Sequence, residues 1–121
     1  MEIDLEKAKK EFLKYTENYD LQDKNILRRL KHSLRVMEIS KQIAKGLGLN
    51  KEEIELATLI GMLHDIGKFE QHKLYNTHYD EKSFDHGDYG EKILEKDMRK
   101  YIETNEYDEI IKKAVKNHNK F

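Results

Sequence analysis

Apolar side chains recur at steps of three and four through most of this chain, and the recurrence predicts helix after helix. Residues 4–17 form a short, charged helix with Leu5, Ala8, Phe12 and Tyr15 near one face. Residues 24–45 form a longer one, marked by Ile26, Leu27, Leu30, Leu34, Met37, Ile39 and Ile43 and punctuated by Gly46 and Gly48. Asn50 reads as the N-cap of a third helix, with Glu52 and Glu53 at its positive end. Ile54, Ala57, Leu59, Ile60 and Leu63 carry that helix to about Ile66, where Gly67 reads as the C′ residue that stops it. Gly61, inside it, costs about 1 kcal/mol against alanine and marks a close helix crossing. Residues 67–84 keep no clean period and read as one long loop, of a length that is often functional. Helices over 86–103 and 107–118 complete the pattern, and no segment alternates as a strand does. The expected fold class is all-α, about five helices with one long loop, in a single domain over 1–121.

Composition narrows the chemistry more than the fold. The 23 basic and 24 acidic residues nearly cancel, so nothing global predicts binding to nucleic acid or a membrane surface. Charged residues make up 39% and apolar ones 37%, which implies a thin core. There is no cysteine, so disulfides and thiolate metal sites are excluded and a transition metal must be held by His, Asp or Glu. The N-terminal residues lack a signal-peptide layout, and no apolar run reaches membrane-spanning length. A soluble, cytoplasmic protein is expected.

Six histidines remain to be placed: His32, His64, His72, His78, His86 and His118. His32 shares a helical stripe with Val36, Ile39 and Ile43, and His64 shares one with Ala57 and Ile60, so both are expected to lean toward the core. One such histidine is ordinarily a buried polar group with a hydrogen-bond partner. Two on successive helices, one followed directly by Asp65, suit a divalent first-row metal, provided that the helices converge.

The stretches "HSLRVMEISKQIAKGLGL", "LIGMLHDIGKFEQH", "FDHGDYGEKIL" and "IIKKAVKNHNKF" occur in that order. Together they resemble the HD-domain superfamily of metal-dependent phosphohydrolases, over about residues 25–121. The resemblance implies an all-α bundle around a metal site. It places the family's first histidine on His32 and the HD pair on His64 and Asp65. The further histidines of wider or binuclear sites fall on His86 and His118. Asp65 is then expected to contact one metal or bridge two, and Lys68, the lysine of the HDxGK variant, to face the substrate phosphate or the attacking water. The cofactor implied is one or two divalent ions (Mn, Fe, Co, Ni, Zn or Mg). His72 and His78 match no ligand position and read as loop-surface residues.

The family's last ligand is an aspartate beyond the final histidine, often in a segment resembling "RDADK". Here Asn119, Lys120 and Phe121 follow His118, and Asp108 precedes it. The expectation is therefore a domain incomplete at its C-terminal side, from a longer protein, or a homo-oligomer that covers the exposed apolar surface. Asn119 stands where cyclic-dinucleotide phosphodiesterases of the superfamily carry a second histidine. Lys68 and Phe69 stand where its alarmone hydrolases carry an acidic pair, so both assignments lose weight. The function implied is hydrolysis of a nucleotide or related phosphate ester, with metal-activated water as nucleophile. The alternatives are a non-catalytic, regulatory metal- or nucleotide-binding module and a plain helical interaction domain. The expected partner is a small phosphorylated compound. Arg28, Arg29, Lys31 and Arg35 flank His32 and read first as a solvated face, second as a guide for such a substrate.

Overall fold

Capping residues set where most of the helices begin. In the computed structural model, which describes residues 3–77 and 79–120, Asp4 accepts a hydrogen bond from the Lys7 N–H and opens α1, Leu5–Thr16. Asp23 does the same for α2, Lys24–Gly46, accepting from the Asn25 and Ile26 N–H groups. Asn50 and Glu53 form a reciprocal capping box ahead of α3, Lys51–Leu63. Asp85 caps α5, His86–Tyr101, by accepting from the Asp88 N–H. The remaining helices are α4, Gly67–Tyr75, and α6, Asp108–Asn117, with a single 3₁₀ turn over Asp80–Lys82. Among the described residues there is no strand, and no helix is long and apolar enough to cross a membrane.

The core gathers around α3. Leu59, Met62 and Leu63, with Ile66 just beyond, meet Phe12 of α1, Phe69 of α4, Leu94 of α5 and Ile111 and Val115 of α6. Phe12 meets Phe69 edge-on at 6.0 Å between ring centroids, and burial of each ring is worth about 1.5–3 kcal/mol. The long α2 packs chiefly against α3, and α5 against α6. Gly61 lets α2 and α3 approach closely, since a Cβ there would sit 3.0 Å from the Val36 carbonyl oxygen.

The five expected helices are present, and the all-α class holds. Three expectations change. Residues 67–84 are not one loop, because α4 occupies their first half. Gly67 is not a helix stop, because the backbone stays right-handed through His64 (φ −56°, ψ −36°) and Ile66 (φ −56°, ψ −28°) and turns straight into α4. The left-handed stop comes later, at Asn76 (φ 51°, ψ 37°), whose N–H donates to the His72 carbonyl. The stripe below His32 also runs off the core: Ile39 and Ile43 are 49% and 58% exposed.

Candidate metal centre

Helix ends bring the chemistry together. His32 projects from the middle of α2, but His64 caps the C-terminus of α3, Asp65 lies in the following turn, His86 is the first residue of α5, and His118 caps the C-terminus of α6. Asp65, only 6% exposed, is the hub. Its Oδ2 faces His32 Nε2 at 3.4 Å and His64 Nε2 at 3.2 Å. Its Oδ1 faces His86 Nε2 at 3.3 Å and His118 Nε2 at 2.9 Å. The ligand atoms of His32, His64 and Asp65 lie within 4.8 Å of one another, as do those of Asp65, His86 and His118. Two ligand triads thus share one carboxylate.

The ring protons show what this arrangement suits. His64 Nδ1 lies 2.7 Å from the Gly61 carbonyl, His118 Nδ1 2.6 Å from the Val115 carbonyl, and His86 Nδ1 2.9 Å from Asp80 Oδ1. Each of these oxygens can only accept, so each Nδ1 must carry the hydrogen. In the neutral rings the three Nε2 atoms then present lone pairs, and all three converge on an anionic carboxylate. His86 Nε2 and His118 Nε2 stand only 3.0 Å apart. Such an electron-rich cluster needs positive charge in its middle, and an imidazole–carboxylate donor set of this size fits a divalent first-row ion.

The titration directions agree. Burial opposes ionisation of Asp65, but its contacts with His118, His64 and His86, whose rings can donate from Nε2 only when protonated, outweigh it and hold the carboxyl well below the usual range. Burial alone would lower His64, yet the Asp65 carboxylate and the Gly61 carbonyl raise it. His32 is lowered by burial, with Asp65 only partly offsetting this. A proton and a divalent ion compete for the same Nε2 lone pairs.

Lys68, in the first turn of α4, is partly buried, and desolvation lowers its pKa against the pull of Asp65 and Asp80. Arg29 lies within electrostatic reach of His32, His64 and Lys68, and the exposed Arg35 within reach of His32, while Arg28 and Lys31 are solvent-exposed.

His72 corrects the sequence expectation. It is buried on α4, with Nε2 3.1 Å from Asp23 Oδ2, and ties α4 to the cap of α2. His78 lies outside the described residues. Asp108 is remote from the cluster and pairs with Arg99. Three polar residues behind the cluster carry no signal in the sequence. Asp80, Gln71 and Asn119 join there, with Gln71 Nε2 2.7 Å from Asp80 Oδ1 and Asn119 Nδ2 2.9 Å from Asp80 Oδ2. Asp80 and Gln71 fall in the stretch without a period, and Asn119 looks like an ordinary helix-end amide.

A cavity of about 830 Å³ lies between α1 and α5, lined in part by Tyr15, Tyr19, Tyr89 and Tyr101. None of the cluster residues lines it.

Against known families, the model of the HD domain matches residues 29–121. Comparison with curated proteins and with solved structures gives no match.

Proposed function

The chain belongs to the HD domain family, a superfamily of metal-dependent phosphohydrolases, and from that premise we propose that it hydrolyses a small phosphate ester, a nucleotide or a close relative, at the Asp65 centre. The observation that carries the reading is the convergence of three lone-pair Nε2 atoms on one buried carboxylate. His32, His64 and Asp65 would hold one divalent ion, and Asp65, His86 and His118 a second.

A divalent ion bound there supplies positive charge to phosphoryl oxygens and acidifies water enough to attack at neutral pH. The chain's own contribution is placement and charge. Asp65 balances part of the metal charge and keeps the two triads in register. Lys68, close enough to feel the Asp65 field, offers an ammonium to the phosphoryl oxygens as charge builds on them. Arg29, on the α2 side, offers a second cation to a phosphorylated substrate. The histidines act as neutral ligands, so acid weakens the centre by protonating them.

A second reading has one observation in its favour. Among the described residues, both triads draw on a single carboxylate, which favours a module that binds metal and nucleotide without turnover. One assay separates the two: metal content by elemental analysis, followed by a screen of phosphomonoesters and phosphodiesters with Mn²⁺, Co²⁺, Ni²⁺ or Mg²⁺. Turnover that is lost in Asp65→Ala supports the hydrolase. Tight nucleotide binding with metal present and no product formed would overturn it.

A further inference from the structure

We propose that Asp80 is the positioning residue of this centre: it fixes the tautomer and direction of His86 and so sets the affinity of the ion held by Asp65, His86 and His118. The inference rests on the metal-centre reading and goes beyond its ligands.

The geometry is that of a carboxylate behind a ligating imidazole. His86 Nδ1 lies 2.9 Å and 3.1 Å from the two Asp80 oxygens, on the side of the ring opposite Asp65 and His118. A carboxylate there forces the ring proton onto Nδ1 and turns Nε2 toward the cluster as a lone pair. Among the described residues no other carboxylate faces this ring nitrogen; Asn119 Nδ2, 3.5 Å away, is itself a donor. His64 and His118 lean on carbonyls of their own helices, three residues back. His86 opens α5 and has no preceding turn to lean on, so its partner must come from elsewhere in the chain.

Asp80 is itself built in. Gln71, fully buried on α4, donates to Oδ1, and Asn119, next to His118, donates to Oδ2. Gln71 is pinned further by Ser83 Oγ at 3.0 Å and the Phe84 carbonyl at 3.1 Å. The carboxylate therefore links α4, the 3₁₀ turn, α5 and the end of α6 at one point behind the metal ligand.

The test uses the full chain with Asp80→Ala, Asp80→Asn and His86→Ala. In the metal-free protein, ring ¹⁵N shifts of labelled histidine report the His86 tautomer. The expected result is Nδ1–H in the wild type and in Asp80→Asn, whose amide oxygen still accepts, and a shift toward Nε2–H in Asp80→Ala. In Co²⁺ titrations followed by visible absorption and calorimetry, Asp80→Ala weakens the binding step that His86→Ala removes by about 10–100-fold. It has no further effect on the His86→Ala background, because residues acting through one another do not add. Thermal melts without metal confirm that each variant folds. Equal weakening of every binding step, or full additivity with His86→Ala, overturns the inference while leaving the metal centre standing. A wild-type chain that binds no divalent ion removes both.

Discussion

Replacing Gly67 with alanine is the sharpest test of how the centre is built. A Cβ at this position would stand 3.1 Å from the Gly90 N and 3.2 Å from the His86 carbonyl carbon, and closer still to the His86 carbonyl oxygen. These are backbone atoms, so no side-chain rotation relieves the clash. To restore an ordinary separation of about 3.5 Å, α4 and the start of α5 must part by about 1 Å. Overpacking of this kind costs about 1–3 kcal/mol. At this chain length each kcal/mol is worth about 4 °C in melting temperature, so a fall of roughly 4–12 °C is expected by circular dichroism. The same displacement moves His86 relative to Asp65, and a shift of about 1 Å at a reacting centre costs on the order of 100-fold in rate. Gly46→Ala is the matched control. It lies at the end of α2 with nothing within 4 Å of its would-be Cβ, and there the same change gains up to about 1 kcal/mol. A Gly67→Ala protein that melts with the wild type refutes the close approach of α4 to α5 and the argument built on it.

Three further outcomes follow from the same geometry. Mn²⁺ or Co²⁺ at about 100 times its dissociation constant should stabilise the fold by about 2.7 kcal/mol, reversibly with chelator, and a melt of His64→Ala that rises equally would contradict the ligand assignment. Lys68→Met should lower kcat on a phosphate ester by about 100–1000-fold with Co²⁺ affinity unchanged; loss of metal binding instead would make Lys68 a structural residue. Asp85 is held at a pKa of about 2, with burial opposing and the Asp88 N–H, Asn119 and Lys120 favouring the carboxylate. Its folded pKa is depressed, so its stabilisation is present above about pH 4 and is lost as the pH falls toward 2. Asp85→Ala should cost about 1 kcal/mol near neutrality as a lost N-cap, and denaturant midpoints should show the deficit shrinking in that acid window.

The elements that were legible in the sequence are those whose buried face is apolar. α1, α2, α3, α5 and α6 announce themselves by residues such as Phe12, Ile26, Leu59, Leu94 and Ile111, all in the core. α4 did not, because it buries Gln71 and His72 alongside Phe69, and a pattern reader scores buried polar residues as exposed. Gly67 misled for a related reason. Glycine marks both left-handed stops and close backbone contacts, and only the tertiary structure tells that this one is the latter. The centre followed the same logic. His32, His64, Asp65, His86 and His118 stood out by type and order, and they meet in space. Asp80 did not stand out, since a residue that acts from behind a ligand has no spacing rule to reveal it.

The five cluster residues run from position 32 to position 118 and come from α2, the turn after α3, α5 and α6. Ions held by the two triads, which share Asp65, would together close the chain from 32 to 118 on itself, as a clasp does. Chain closure costs little more for a long loop than for a short one, so the far helix is recruited almost as cheaply as a near one. Ligand bonds formed only in the folded state would make the metal part of the folding reaction. Protease accessibility along α6 thereby becomes a direct gauge of whether the clasp is shut.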